Sequence, residues 1–310
     1  MDYIAVFGIG STHFRYTVGT SEGQFLTSIK IEPTQAIALE KQIVDAIRRI
    51  NRTISTTISA VSISCTGLVD HHTGIIEELD TKSGTAVHDI DLRSTIRSEF
   101  DLPLYLENDC TASALGEWHF GAGDPYECIA HVTFGTGIGA GVVEQGRLVR
   151  GESGQAAEVG LFPVAPTCDL DSFGVPGAWE AICSGRGIPN YVAHQLETEN
   201  RETILHDFTN IEARDLFKSA EAGDTVAQEY LDRIARYNAA GIGTLCNAFN
   251  PGLITLGGGV ALNNQQTILE GIQTYIDDYL YVDKPAIQIT EQGDEIGLYG
   301  ALARCLIDRT

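Results

Sequence analysis

Three glycine-rich segments, each preceded by an apolar run typical of a strand, constrain the fold of this 310-residue chain most strongly. They read GIGST at 8–12, FGTGIGAG at 134–141 and LGGGV at 256–260. Glycine weakens a strand and loses more backbone entropy on folding than any other residue, so these segments need bare backbone. A tight hairpin, or a loop whose N–H groups approach an anion, satisfies that need. One such segment alone indicates only a turn, but three together favour a phosphate cradle.

The order of strand-like and helical patterns predicts the fold class. Apolar runs predict strands at 3–9, 14–20 and 25–32, ahead of a first helical pattern at 35–50. Strands and helices then alternate: the further predicted elements are strands at 60–65 and 104–107, strand-like runs at 129–134 and 142–143 on either side of a glycine turn, a strand from 253 that leads into a glycine-rich turn, and helices at 110–120, 213–221, 225–249, 264–280 and 297–308. A strand meander followed by alternation predicts an α/β fold with mixed sheets flanked by helices.

The charge balance excludes some partners. A formal net charge of -22, from 42 acidic and 20 basic residues, argues against a nucleic-acid-binding surface. Only five of the basic residues are lysines, and an acidic, lysine-poor surface favours a protein that works in high salt. An ordinary acidic enzyme is the alternative. No apolar run reaches the length of a membrane span, and the N-terminus lacks a basic leader, so we expect a cytoplasmic protein that binds no membrane.

The cysteines and the paired histidines suggest no metal or disulfide framework. The seven cysteines are odd in number, widely spaced and without a CxxC motif, which predicts reduced and mostly buried thiols. His71 and His72 precede a Thr-Gly pair and have no matching ligand nearby in the sequence. We interpret them as part of a solvated turn.

The ordered motifs resemble the ROK family of sugar kinases and sugar-responsive repressors, within the actin-like, ribonuclease H-like ATPase superfamily. They are the first Gly-Ser-Thr turn, ENDCTASALGEW from 107, FGTGIGAGVVEQGRLVRGESGQAAEVG from 134, GVPGAWEAICSGRGI from 174, PGLITLGGGV from 251 and GLYGALA from 297. The resemblance spans nearly the whole chain. It implies a two-lobed α/β fold, with a smaller lobe of residues 1–108 joined by the helix 295–310 and a larger lobe of 109–294.

The resemblance also implies an ATP-dependent sugar kinase of the glucokinase type, working as a homodimer with ATP and Mg²⁺. By the resemblance, the residues that bind the phosphates are Thr12, Gly135, Thr136, Gly137 and Gly139. Those that bind adenosine are Gly257, Gly258 and Gly259. Those that bind the sugar are Asn108, Glu158 and Glu180. Asp109 matches the general base. Phosphoryl transfer to a hydroxyl needs positioning, cations and a carboxylate that takes the proton, and Asp109 beside Asn108 suits this. The alternative is that Asp109 merely caps the helix that follows it.

Two departures from the family pattern bear on function. The first turn of the family begins with an aspartate that helps to organise metal and phosphates, and Gly8 stands in its place. The family also carries a zinc site of one histidine and three cysteines. Its four positions are occupied here by Leu161, Asp171, Phe173 and Ala178. One carboxylate cannot hold a tetrahedral zinc, so we expect no structural zinc.

Three functions therefore stay open. The retained sugar and phosphate motifs favour a hexose kinase, and with the acidic composition they imply a haloarchaeal member of the family. Gly8 favours a non-catalytic sugar-binding or regulatory protein. A hydrolase of phosphorylated compounds on the same scaffold is a third hypothesis. A repressor is disfavoured because the chain begins directly with the first ATPase strand and is strongly acidic.

Overall fold

The computed structural model describes residues 3–54, 57–81 and 85–307. The chain forms two compact units. The first comprises Met1–Pro125, Gly146–Gly154 and Glu295–Thr310, and the second comprises Tyr126–Gln145 and Gln155–Asp294. Residues 109–125 and 146–154 thus fall in the first unit, whereas the predicted division at residue 108 placed them in the second.

The helix after Asp109 belongs to the first unit because it packs against the C-terminal helix at glycine contacts. A Cβ on Gly116 would lie 2.8 Å from the backbone nitrogen of Gly300, and one on Gly300 would lie 1.9 Å from the carbonyl oxygen of Ala112. The two helices therefore approach closely enough for backbone to touch backbone.

The elements of the described residues are numbered in chain order. The strands are β1 (Tyr3–Ile9), β2 (His13–Thr20), β3 (Lys30–Pro33), β4 (Ile58–Cys65), β5 (Leu68–Asp70), β6 (Ile75–Asp80), β7 (Ala86–Asp91), β8 (Leu104–Asn108), β9 (Cys128–Phe134), β10 (Ile138–Glu144), β11 (Arg147–Leu148), β12 (Asp171–Ser172), β13 (Val175–Pro176), β14 (Leu253–Gly257) and β15 (Ala286–Ile289). The α-helices are α1 (Leu39–Thr53), α2 (Leu92–Phe100), α3 (Asp109–Phe120), α4 (Trp179–Cys183), α5 (Gly187–Thr198), α6 (Ala213–Glu221), α7 (Thr225–Phe249), α8 (Gly258–Asn263), α9 (Gln265–Tyr275) and α10 (Ile296–Ile307).

The main sheet of the first unit brings three strand ends to one edge. Its strand order is β3-β2-β1-β4-β8, with β1 antiparallel to β2 and with β1, β4 and β8 mutually parallel. Ile9 pairs with Cys65, and Cys65 pairs with Asn108, so the carboxyl ends of these strands are level. The segments that follow them leave the sheet side by side, which is where α/β sheets commonly bind ligands.

Apolar side chains cover both faces of this sheet. On one face α1 contributes Ile43, Ile47 and Ile50 to a core shared with the strands. On the other face Leu298 and Leu302 of α10 belong to a smaller core cluster. The mixed sheet with helices on both faces confirms the predicted α/β class.

The main sheet of the second unit brings two glycine-rich turns together. β10 is antiparallel to β9, β9 is parallel to β14, and β14 is parallel to β15. Gly257 at the end of β14 pairs with Thr133, one residue before the end of β9. Trp179 packs edge-on against Phe134 with ring centroids 5.5 Å apart, and its indole N–H donates to Asn238 at 2.8 Å. The segments after β9 and β14 are therefore neighbours above a well-packed core.

Some predicted elements were wrong in extent. The strand predicted at 25–32 begins only at Lys30. Before it, Phe25 forms an isolated bridge with Gly19, and the pairing is then interrupted where the Thr27 hydroxyl accepts from the Val18 N–H at 3.2 Å. The helix predicted at 264–280 ends at Tyr275 and continues as a 3₁₀ turn. Neither the small antiparallel sheet β5-β6-β7 nor helices α2, α4 and α5 were predicted.

Two further predictions concern the state of the cysteines and membrane-spanning helices. All seven cysteines are free thiols, and four of them are buried: Cys65, Cys183, Cys246 and Cys305. Within the described part of the chain, no helix combines the length and hydropathy needed to cross a bilayer.

Candidate active site

Asn108 and Asp109 lie where β8 gives way to α3. Asn108 is the N-cap of α3: its side-chain oxygen accepts from the N–H groups of Cys110 at 3.0 Å and Thr111 at 3.3 Å. Its amide nitrogen donates to the carbonyl of Gly67 at 3.1 Å. The hypothesis that Asp109 serves only as the cap is therefore wrong, because Asn108 performs that function.

The Asp109 carboxylate is half-buried at the first position of α3 and accepts from the Cys110 N–H at 2.9 Å. Burial raises the pKa of Asp109 above its ordinary value, and hydrogen bonding by Cys110 and Thr66 opposes that rise. A carboxylate with a raised pKa binds a proton more readily, which suits a general base.

Glu107, the residue before Asn108, is buried and does not face solvent. Its carboxylate pairs with Arg150 at 2.6 Å and with Arg304 at 3.4 Å. Arg150 comes from the short segment 146–154, so this ion pair fastens that segment to the end of β8. A buried carboxylate needs such partners to stay charged.

Hydrogen bonds fix the first glycine-containing turn, which connects β1 to β2. The Gly10 N–H donates to His13 at 2.9 Å, and the Thr34 side chain donates to the Gly10 carbonyl at 2.6 Å. Thr12 lies exposed at its tip, with its carbonyl bonded to the Thr34 N–H at 3.0 Å. This arrangement leaves the Thr12 side chain on the surface of the turn.

Gly8 faces an aliphatic side chain. A Cβ at this position would lie 3.2 Å from a terminal methyl group of Leu298 on α10. A longer acidic side chain would have to displace Leu298, so the space beside β1 is filled by apolar atoms. The departure at Gly8 is thus matched by packing on the facing helix.

The turn between β9 and β10 contains two glycines with different surroundings. A Cβ on Gly137 would lie 2.6 Å from a carboxylate oxygen of Glu180. A Cβ on Gly135 would meet nothing closer than 3.6 Å. A side chain at Gly137 would therefore crowd the Glu180 carboxylate, whereas the space beside Gly135 is open to a ligand. Thr136 is exposed between them, and Gly139 follows in β10, paired with Thr133.

The turn after β14 shows the same contrast. Gly258 has a φ of +80°, and a Cβ there would lie 2.5 Å from the backbone of Phe134. A Cβ on Gly257 would lie 2.8 Å from the ring of the fully buried His131, whose pKa burial lowers to about 3. Gly259 has its nearest neighbour at 3.9 Å, so its backbone is the open part of this turn.

Glu180 holds the first of these turns in place. One carboxylate oxygen accepts from the Ile138 N–H at 3.1 Å, and the other accepts from the Ser172 hydroxyl at 2.5 Å. Sequence reasoning missed this structural role. The assignment of Glu180 to a sugar hydroxyl remains a proposal.

Glu158 sits on a conformationally constrained backbone. It precedes a 3₁₀ turn over Val159–Leu161 and is exposed. Ala157 before it has a φ of +66°, an unusual conformation for a residue with a side chain. Such conformations cluster at functional sites because they aim a neighbouring side chain.

Sequence reasoning also missed the segment Ser184–Arg186. The Gly185 N–H donates to the Gly135 carbonyl at 2.8 Å, and the Arg186 N–H donates to the Thr136 carbonyl at 3.2 Å. Arg186 is exposed, and its backbone lies beside the glycine turn. The signal was a cation directly after a glycine, in a chain that has few cations.

His71 and His72 lie in the turn predicted for them. The Asp70 carboxylate accepts from the N–H groups of His72 at 2.8 Å and Thr73 at 3.2 Å. Burial lowers the pKa of His71, and the neighbouring Arg150 lowers it further. His71 is therefore largely neutral at pH 7.

Of the four positions that match the zinc ligands of the family, Asp171 and Phe173 lie in the hairpin of β12 and β13, whereas Leu161 ends a 3₁₀ turn before it and Ala178 precedes α4. Asp171 starts β12, and its carboxylate accepts from the Gly174 N–H at 3.1 Å. Phe173 lies exposed at the tip with a φ of +49°. Ala178 is buried, and the Leu161 N–H bonds back to the Glu158 carbonyl at 3.2 Å. Backbone hydrogen bonds thus organise this region.

We predict that this region needs no zinc. Elemental analysis of the pure protein, after dialysis against a chelator, should give far less than one zinc per chain. The midpoint of thermal unfolding should be the same with and without the chelator. A stoichiometric zinc that survives dialysis, or a clear drop in the midpoint with the chelator, would contradict this prediction.

Comparison with known proteins identifies the family. A model described as "ROK family" matches residues 3–306. The chain belongs to the ROK family. This ROK protein is 28% identical over 312 residues to a glucokinase of Halalkalibacterium halodurans, covering 96% of this chain and 93% of that one.

Two solved structures are similar along their whole length. A ROK hexokinase from Thermus thermophilus has a TM-score of 0.83 at 28% identity and covers 99% of both chains. A ROK family glucokinase from Streptomyces griseus, in complex with glucose and AMPPNP, has a TM-score of 0.76 at 28% identity and covers 97% of this chain and 98% of that one. The ROK protein described here therefore has the fold of the ROK sugar kinases.

Proposed function

We propose that this ROK protein transfers a phosphoryl group from ATP to a sugar hydroxyl, as a hexose kinase of the glucokinase type. The observation that carries the proposal is the Asp109 carboxylate, held at the level edge of the sheet with a pKa raised by burial. The similarity to glucokinases over nearly the whole chain supports the same reaction class.

In this reaction Asp109 accepts the proton of the attacking sugar hydroxyl as the new oxygen–phosphorus bond forms. Asn108, Glu158 and Glu180 orient the sugar through its other hydroxyls. The phosphates contact the backbone of the turns that carry Thr12 and the segment Gly135, Thr136, Gly137 and Gly139. Gly257, Gly258 and Gly259 provide the surface for adenosine. Little covalent help is needed, so positioning supplies most of the catalysis.

Mg²⁺ would bind as a complex with the nucleotide. Among the described residues no three His, Cys, Asp or Glu side chains come close enough to hold a metal ion, and position 8 presents Leu298 rather than a carboxylate. The residues present therefore do not fit a dedicated protein site for this ion. Mg²⁺ is commonly bound by substrate phosphates and water with one or two carboxylates, and its chemistry there is to neutralise phosphate charge.

Gly8 favours a second candidate, a sugar-binding protein without catalysis. The packing of Leu298 against Gly8 shows that the place beside the first turn is built for apolar atoms. In this second function the sugar residues act as proposed, but no phosphoryl transfer follows.

A panel of hexoses with ATP and Mg²⁺ in molar KCl, scored for ADP release, separates the two candidates. The kinase predicts sugar-dependent ADP release with one or a few members of the panel. A sugar that binds by calorimetry without any ADP release would favour the second candidate.

We further propose that the protein is halophilic, and we predict that its stability rises with salt. A net charge of -22 repels itself, and molar KCl shortens the Debye length to about 3 Å. The midpoint of thermal unfolding should be higher in molar KCl than in about 0.1 M KCl. A midpoint that stays constant or falls would contradict the halophilic proposal.

A further inference from the structure

The Glu180 carboxylate joins two segments that lie far apart in the sequence. One of its oxygens accepts from the Ser172 hydroxyl at 2.5 Å, a length typical of a hydrogen bond to a charged acceptor. The other oxygen accepts from the Ile138 N–H at 3.1 Å. Ser172 lies in β12 and Ile138 begins β10, so one side chain connects the β12–β13 hairpin to the turn between β9 and β10.

Two glycines make room for this carboxylate. A Cβ on Gly137 would lie 2.6 Å from the Glu180 oxygen that accepts from Ile138, and a Cβ on Gly160 would lie 3.0 Å from the same oxygen. The Gly160 backbone also packs on Ile138, because its Cβ would lie 2.2 Å from the Ile138 carbonyl oxygen. Backbone therefore encloses the carboxylate at one oxygen, and the Ser172 hydroxyl holds it at the other.

The turn that Glu180 fixes contains two N–H groups that are available to a ligand. The Gly135 N–H donates to the Gly137 carbonyl at 2.9 Å, and the Ile138 N–H donates to Glu180. The N–H groups of Thr136 and Gly137 have no hydrogen-bond partner among the residues that the structure describes. Successive N–H groups of this kind in a turn suit an anion such as a phosphate. Their position depends on the bond that Glu180 makes to the next residue, Ile138.

We propose that Ser172 is a positioning residue for the nucleotide, because it holds the Glu180 carboxylate and thereby fixes Ile138. The N–H groups of Thr136 and Gly137 then stay in place to bind phosphate. Glu180 thus serves the nucleotide through the turn, in addition to the sugar hydroxyl proposed for it. The nucleotide role of Ser172 rests on the proposed function, but its hold on the turn does not.

The hairpin has supports of its own, which provide a matched control. The Asp171 carboxylate accepts from the Gly174 N–H at 3.1 Å. Asp171→Ala therefore weakens the hairpin at the residue next to Ser172 without removing a contact of Glu180. Ser172→Ala removes the hydroxyl that binds Glu180, and Ser172→Thr keeps it.

Hydrogen exchange followed by mass spectrometry measures the turn directly in the full chain. In Ser172→Ala the Ile138 amide should exchange about tenfold faster, the equivalent of one hydrogen bond. Ser172→Thr should restore the slow exchange, and Asp171→Ala should leave exchange at Ile138 unchanged. If Ser172→Ala does not fold, Ser172→Cys makes the same test, because a thiol is a weak donor.

Calorimetric titration with Mg²⁺ and AMPPNP, an ATP analogue, measures the nucleotide role. The Kd for AMPPNP should rise about tenfold in Ser172→Ala and stay near the unmutated value in Ser172→Thr and Asp171→Ala. Where sugar-dependent ADP release is measured, the KM for ATP should rise by the same factor in Ser172→Ala, with kcat little changed.

Exchange at Ile138 that is the same in Ser172→Ala and the unmutated protein would overturn the proposal, and so would an equal acceleration in Asp171→Ala. Faster exchange with an unchanged Kd for AMPPNP would overturn the nucleotide role. Failure of the proposed function is a separate result: the unmutated protein would then bind no AMPPNP and release no ADP, and exchange at Ile138 would still decide the hold of Ser172 on the turn.

Discussion

Asp109→Asn is expected to lower the rate of sugar-dependent ADP release by about 10²–10⁴-fold, the usual worth of a general base. Asparagine is nearly isosteric and can still accept the Cys110 N–H bond, but it cannot take a proton at neutral pH. The lost charge also misplaces the attacking hydroxyl. Because Asn108 and not Asp109 caps α3, the variant should keep a thermal midpoint close to that of the unmutated protein.

Glu158→Gln provides the contrast for Asp109→Asn. Like Asp109→Asn, it replaces a carboxylate with an amide, but on an exposed residue assigned to sugar binding. It should therefore weaken sugar binding first and leave kcat less affected. A binding titration and steady-state kinetics on both variants separate the two roles. Near-normal turnover by Asp109→Asn would remove Asp109 from the catalytic machinery.

The raised pKa of Asp109 sets the sign of the pH dependence. The base acts only when ionised, so kcat/KM falls as pH drops through that pKa. Because burial raises the pKa, the fall begins at a higher pH than for an exposed aspartate.

Alanine at Gly135 and at Gly258 is expected to have opposite consequences. At Gly258 the added Cβ meets the Phe134 backbone at 2.5 Å in a left-handed conformation, which should cost roughly 2–5 kcal/mol of stability. At Gly135 the nearest atom is 3.6 Å away, so the fold should be unaffected. If that space belongs to phosphate, Gly135→Ala should still raise the KM for ATP at least about tenfold.

Thermal unfolding and ATP kinetics measured on both variants decide this, with sugar affinity as the internal control for Gly135→Ala. An unchanged KM for ATP in a folded Gly135→Ala protein would mean that the turn is a structural hairpin only. An unchanged midpoint in Gly258→Ala would show that the contact with Phe134 yields easily.

Local sequence patterns predicted the strands that end in glycine turns, because apolar runs and turn residues are properties of adjacent positions. They also placed Asp109 at the end of a strand. They did not predict the strands β5 to β7, which are three to six residues long and lack clear alternation.

Contacts between distant positions lay beyond such patterns. Glu180 bonds Ile138 from 42 positions away, and the Asn108 amide bonds the Gly67 carbonyl from 41 positions away. Leu298 reaches Gly8 only because α10 returns to the first sheet. These contacts decide which glycines serve the fold and which serve a ligand, so that distinction required the structure.

The most direct test of the central proposal is to identify the product. Mass spectrometry of each sugar in the panel, incubated with ATP, Mg²⁺ and the protein in molar KCl, should show one sugar phosphate formed for each ADP released. Asp109→Asn should form almost none. A sugar that binds but is never phosphorylated by the unmutated protein would contradict the kinase and leave the non-catalytic sugar-binding function in its place.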